Sequence, residues 1–82
     1  MKKELNLLNG TFNQADGLDL LSKFLEVKIN FHENKIKESH QEEDIKMREN
    51  RIKQLQSEFN EVRETILKGG PQVDIHAKVS LE

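Results

Sequence analysis

The sequence contains no cysteine, no tryptophan and no tyrosine. Without cysteine, disulfides, thiolate metal ligands and a cysteine nucleophile are excluded. No stretch approaches the ~18 apolar residues that a membrane-spanning helix needs. The glycine-rich loops GxGxxG and GxxxxGK[ST] and the nucleophile motif GxSxG are also missing. We therefore expect a protein that is not an enzyme and that has no cofactor, no metal site and no membrane segment.

Apolar residues are scarce, because hydrophobic and charged residues each make up 34% of the 82 residues. A chain of this size buries only about 60% of the surface of its unfolded form, so we expect it to need burial against a partner chain. The 13 basic and 15 acidic residues are mixed along the sequence. This pattern disfavours a nucleic-acid binder, which usually concentrates basic charge on one face. No apolar segment typical of a signal peptide follows the basic start, which predicts a cytoplasmic location.

The first helix is predicted over about residues 14–37, with Asn13 as its N-cap. At 100° per residue its apolar side chains fall into two stripes, wider together than the single stripe of a surface helix. The stripes predict that this helix is covered on two sides. One stripe contains Leu18, Leu21, Leu25, Ile29 and Ile36, and the other, a candidate interface, contains Leu20, Phe24, Val27 and Phe31.

A second helix is predicted over about residues 40–68, after a tight bend at Lys37–Glu38 and a capping box from Ser39 to Glu42. The alternative is one uninterrupted helix of more than fifty residues. Gly69-Gly70-Pro71 ends the second helix. Its apolar residues have heptad spacing, which indicates packing against another helix. These are Ile45, Ile52, Leu55, Phe59, Val62 and Ile66.

Two polar residues beside these apolar stripes are ambiguous. Arg48 interrupts the heptad pattern, and it either extends its charge to solvent at the end of a hairpin or pairs with an acidic partner residue. His32 is either a polar centre at an interface or an ordinary histidine at the edge of a packed face.

Strands are predicted at both ends of the chain. Residues 3–8 alternate with Leu5 and Leu7 on one face, and Asn9-Gly10 predicts a turn. Residues 72–81 alternate strictly, so that Val73, Ile75 and Val79 share one face. The order of elements is βααβ, an α+β fold with an antiparallel helical hairpin. Because two strands alone are marginal and leave open edges, we expect a homodimer with a shared four-stranded sheet.

Two short segments, Lys28-Ile29-Asn30-Phe31-His32 and Arg51-Ile52-Lys53-Gln54-Leu55, resemble a pattern in small bacterial and phage-borne proteins of unknown function. Those proteins open with a short strand, an Asn-Gly pair and a phenylalanine, and close with a strand. The connection at residues 37–44 is shorter here than in that pattern. The resemblance implies the βααβ layout and no activity.

We expect a non-enzymatic protein–protein interaction or adaptor module that acts as a homodimer. The candidate interface combines the second stripe of the first helix with the apolar face of the last strand. One alternative is a nucleic-acid-associated accessory protein, and another is a structural, coiled-coil-like oligomer. The first alternative depends on a local basic cluster on the second helix, which contains Lys46, Arg48, Arg51 and Lys53.

Overall fold

The computed structural model describes residues 2–82, which form the predicted βααβ order. The elements are β1 (Lys3–Asn13), α1 (Gln14–Glu38), α2 (Glu42–Lys68) and β2 (Gln72–Leu81). The two helices form a hairpin, and β1 and β2 pair as a two-stranded antiparallel sheet. The α+β class and the hairpin are therefore confirmed, and the single long helix is wrong.

The predicted N-cap of α1 is confirmed. The side-chain Oδ1 of Asn13 accepts a hydrogen bond of 2.8 Å from the backbone N–H of Asp16. This bond satisfies one of the amide groups that lack a partner at a helix start. The same residue ends β1, so strand and helix follow one another without a loop.

The capping box at Ser39 and the bend at Lys37–Glu38 are wrong. Ser39 ends α1, because its backbone N–H donates to the carbonyl of Ile36 at 3.2 Å while its own backbone is extended. Its hydroxyl accepts from the backbone N–H of Gln41 at 3.2 Å and not from α2. Gln41 precedes α2 without a side-chain cap. Three acidic residues in the first turn, Glu42, Glu43 and Asp44, complement the helix dipole there instead.

The turn at Asn9-Gly10 is also wrong, because β1 continues through both residues to Asn13. An Asn-Gly turn requires its partner strand to follow immediately. Here the partner is β2, where Gly10 is opposite Ile75 and Asn9 is opposite His76.

A β-bulge at Leu7 changes which residues of β1 share a face. Leu5 is opposite Val79 and Leu8 is opposite Ala77, whereas Leu7 has no partner. Opposite residues point to the same side of a sheet, so Leu5 and Leu8 lie on the apolar face. The alternation predicted from Leu5 and Leu7 is interrupted by this extra residue.

Gln14 connects the start of α1 to the end of α2. Its side-chain amide donates to the carbonyl of Ile66 at 3.1 Å and to that of Gly70 at 2.5 Å. The Ile66 carbonyl also accepts from the backbone N–H of Gly69 at 3.2 Å, so Gln14 supplies a second donor at the end of α2 and one to the connection that follows. Gly70 has a φ of 104°, a left-handed conformation that glycine adopts without strain, and it turns the chain towards β2.

The molecule has a very small core. Among the described residues, only Leu55, Ile66 and Ile75 are buried hydrophobic side chains. Gly17 is buried where the sheet crosses the first turns of α1. The chain extends over 46 × 36 × 14 Å, so in its thinnest direction no side chain lies far from solvent.

Candidate functional site

Exposed apolar side chains are the most prominent chemical feature of the surface. Ten large hydrophobic residues of the described chain are exposed, against three that are buried. Single exposed hydrophobic residues are normal, but contiguous groups of them mark interaction sites. The exposed residues are Leu5, Leu7, Phe24, Val27, Phe31, Met47, Val62, Leu67, Val79 and Leu81.

The second stripe of α1 remains largely uncovered within one chain. Val27 is 69% exposed and Phe31 is 54% exposed, while Leu20 is half-buried. The other stripe is half-buried, and its Leu21 and Leu25 share a groove with Leu55 of α2. The two-sided covering that the sequence predicts is therefore absent from the single chain over most of α1.

An open cleft of about 460 Å³ runs along β2. Its walls include consecutive residues of β2, from Val73 to His76, and the facing side of α2 from Glu61 to Ile66. Consecutive strand residues point to opposite faces. A cleft that touches all four must therefore follow the backbone edge of β2.

A second groove, of about 230 Å³, continues this cleft between the helices. Leu21 and Val62 line both cavities, so they form the junction. Phe24, Leu25 and Leu55 extend the apolar lining along the hairpin. The cleft and the groove adjoin at Leu21 and Val62, and we call the two together the β2 channel; β2, α1 and α2 provide their walls.

The outer end of the sheet carries a separate apolar patch. Leu5, Val79 and Leu81 line a cavity of about 230 Å³ together with Lys3 and Glu4. The inner end of the same face is covered, since Ile75 is buried there. Val73, Ile75 and Val79, predicted to share a face, therefore do share it, but only its inner half is packed.

The opposite face of the sheet is polar and linked by cross-strand bonds. The hydroxyl of Thr11 donates to Asp74 at 2.5 Å, and Nδ1 of His76 lies 2.6 Å from the side-chain oxygen of Asn9. An ion pair joins Lys78 to a carboxylate of β1 at 2.8 Å. These contacts assign the polar face to solvent and the other face to packing.

Arg48 lies between the helices, and its side chain is only 19% exposed. Its Nε donates to Asp44 Oδ2 at 3.3 Å, and Nη1 lies 3.2 Å from Nδ1 of His32. The guanidinium also lies 6.0 Å from the centre of the Phe31 ring. Arg48 and His32 therefore form a polar bridge between α1 and α2, and the acidic partner of Arg48 belongs to its own helix.

The four basic residues of the predicted cluster do not lie together on one surface. At about 100° per residue, Lys46 and Arg48 point roughly 160° apart around α2. Lys46 pairs with Glu42 at 3.3 Å, and Arg51 donates to Gln54 at 3.1 Å. Lys53 lies exposed on the same flank of the helix as Lys46.

Local ion pairs dominate the electrostatics of the surface. Asp19, on the polar side of α1, accepts a hydrogen bond of 2.9 Å from Lys23, and this bond raises the pKa of Lys23.

Residues 2–82 contain no cluster of three histidine or acidic residues able to hold a metal ion. Within residues 2–82, neither α1 nor α2 contains an apolar stretch of the length that a membrane span requires.

Comparison with protein-family models, curated proteins and solved structures gives no significant match. The resemblance of residues 28–32 and 51–55 to small bacterial and phage-borne proteins therefore stays a prediction. Sequence reasoning identified the second stripe of α1 but missed the β2 channel and the role of Gln14. The channel depends on the angle at which the sheet leaves the helices, which no local pattern encodes.

Proposed function

We propose that this chain is a small protein–protein interaction module that acts as a homodimer. The observation that carries the proposal is the surface area that a single copy leaves exposed. Its accessible surface is 6574 Å², whereas a compact monomer of 9.6 kDa exposes about 5,100 Å². The excess is about 1,500 Å² per chain on that scale.

This excess matches what a stable dimer removes from water. A standard interface buries about 800 Å² per partner, and permanent homodimers bury more. The radius of gyration supports the same conclusion, because it is 15.4 Å where a compact chain of this length has about 12 Å. A second copy that covers the exposed apolar surface accounts for both excesses.

The sheet suggests how the copies join. Two strands alone are marginal in water, and both of their outer edges are open. A four-stranded sheet shared by two copies satisfies one edge of each copy.

In the proposed role, the dimer is an adaptor for another protein. The charged side of α2, away from the hairpin contact, remains the largest free surface. It carries several i,i+4 ion pairs, such as those of Lys46 with Glu42 and of Lys68 with Glu64. Surface pairs of this kind contribute little to stability, so they are available for a partner.

Light scattering combined with sedimentation equilibrium tests the dimer directly. We expect the mass of two chains at tens of micromolar, and a melting temperature that rises with protein concentration because dissociation accompanies unfolding. A folded monomer at these concentrations would overturn the proposal. Circular dichroism in the same samples establishes that the chain is folded.

A further inference from the structure

We infer that the two copies join through the outer edges of β2, paired antiparallel, with His76 at the two-fold axis. This inference rests on the proposed homodimer and names the surface that forms it. The resulting four-stranded sheet has β1 and β2 of one copy followed by β2 and β1 of the other copy. The second copy's β2 occupies the cleft beside the first copy's β2.

The first argument is the difference between the two sheet edges. β1 is interrupted by the bulge at Leu7, and bulges are among the devices by which proteins prevent pairing at an edge. β2 runs for ten residues without a bulge or an internal proline. Pro71 lies just before the strand, so every residue of β2 has a backbone N–H, and those that point away from β1 are free to pair. The unprotected edge is therefore that of β2.

The second argument is the space beside that edge. A neighbouring strand lies about 4.8 Å away in the direction of the backbone hydrogen bonds. The cleft along β2 provides about 460 Å³ of open space in this direction, with Leu21, Val62 and Ile66 among its apolar lining residues. An added strand needs one apolar face towards those residues and one polar face towards solvent. β2 itself has this alternation.

The third argument is charge complementarity within β2. A two-fold axis at His76 places Asp74 of each copy opposite Lys78 of the other, and it does so twice because the interface is self-complementary. Opposite charges facing one another across antiparallel strands are favourable. The same register places Val73 opposite Val79 and Ile75 opposite Ala77 on the apolar face.

Neighbouring registers lack this match. An axis at Ile75 places Pro71, which has no N–H, opposite Val79. An axis at Ala77 places His76 opposite Lys78 and removes the pairing between Asp74 and Lys78. Among these three positions of the two-fold axis, only the axis at His76 places opposite charges opposite one another while apolar residues also remain opposite apolar residues.

Single cysteines test the pairing, because the natural chain has none. In the variant His76→Cys, the two introduced thiols face one another at the axis, where opposite Cα atoms lie about 4.5–5.5 Å apart, within the range of a disulfide. We expect mild oxidation to convert most of this variant into a covalent dimer. The matched control is Asn9→Cys, which lies opposite His76 on the same polar face but on β1. We expect no covalent dimer from it.

The outcomes separate this inference from the homodimer itself. If His76→Cys is a dimer by light scattering but forms no disulfide, the β2 pairing is overturned and the homodimer still holds. Efficient disulfide formation by Asn9→Cys would have the same meaning. A monomer by light scattering overturns both.

Hydrogen exchange on the natural chain needs no substitution: consecutive amides from Val73 to Val79 are protected if β2 is paired on both edges. Rapid exchange at every second amide would contradict the pairing.

A charge exchange tests the register. We expect Asp74→Lys alone to weaken the dimer about ten-fold, because it places like charges opposite one another twice. Lys78→Asp should do the same. The double variant D74K/K78D should bind more tightly than either single variant, although it loses the bond of Asp74 to Thr11 and the ion pair of Lys78 with Glu4. Failure of the double variant to improve on either single variant would overturn the axis at His76.

Discussion

Gly17 lies directly against Val73: a Cβ atom added to Gly17 would sit 2.8 Å from Cγ1 of Val73. The same atom would lie 3.3 Å from Cδ1 of Ile75. This contact is the point at which the apolar face of the sheet meets α1. The sheet approaches so closely because position 17 has no side chain.

We expect Gly17→Ala to destabilise the protein, although alanine favours a helix by about 1 kcal/mol over glycine. The added methyl group overpacks the contact with Val73, at a cost of about 1–3 kcal/mol. Urea denaturation should therefore show a net loss of about 1 kcal/mol. The double variant G17A/V73A should be more stable than Val73→Ala alone, because the smaller side chain at position 73 leaves room for the added methyl group. A Gly17→Ala variant more stable than the natural chain would contradict the close contact.

The free energy of unfolding should depend on the side-chain amide of Gln14. In Gln14→Glu, the donors to the carbonyls of Ile66 and Gly70 are replaced by a carboxylate that repels them. We expect a loss of about 2 kcal/mol in the free energy of unfolding. The matched control is Gln56→Glu on the exposed surface of α2, which should change stability by less than about 0.5 kcal/mol. Equal effects of the two substitutions would mean that the Gln14 bonds contribute nothing.

The bridge between His32 and Arg48 should show a measurable coupling. A double-mutant cycle with His32→Ala and Arg48→Ala should give about 0.5–1.5 kcal/mol, since the bond is charge-assisted and partly buried. The control cycle uses Glu42→Ala and Lys46→Ala, whose exposed ion pair should give about 0.3–0.5 kcal/mol or less. A coupling at the bridge no larger than in the control would show that Arg48 is held only by Asp44.

Val62 lines both parts of the β2 channel and is 41% exposed. We expect Val62→Lys to weaken dimerisation by at least ten-fold, about 1.4 kcal/mol, because the proposed partner strand covers this position. Asn60→Lys adds the same charge on another side of α2 and should leave the dimer unchanged. Sedimentation equilibrium measures both, and circular dichroism reports their folding. A dimer of unchanged affinity in Val62→Lys would contradict coverage of the channel.

The sequence predicts those parts of the fold that local chemistry decides. The start of α1 at Asn13, the end of α2 and the limits of β2 follow from the N-cap, the Gly69-Gly70-Pro71 stop and the alternation of the last strand. The errors at Asn9-Gly10 and Ser39 have a different origin. Asn9 is held in a strand by β2, 67 residues further along the chain, and Ser39 closes the preceding helix instead of opening the next.

The candidate site was predictable in its residues and not in its shape. The periodicity of α1 identifies the stripe from Leu20 to Phe31, because helix geometry places those side chains together. The β2 channel depends on how far the sheet diverges from the hairpin, which is a tertiary property. The basic cluster predicted on α2 fails for a local reason: its residues are close in sequence but point in different directions around the helix.

The pairing of β1 with β2 also has a consequence for the order of folding. Bonds such as that between Thr11 and Asp74 join residues 63 positions apart, whereas the contacts of the helical hairpin close a loop of three residues. Loop closure favours the local contacts, so we expect the hairpin to form first and the sheet to close on it afterwards. An intact edge of β2 exists only after that closure. The self-association proposed above would therefore follow folding of the single chain.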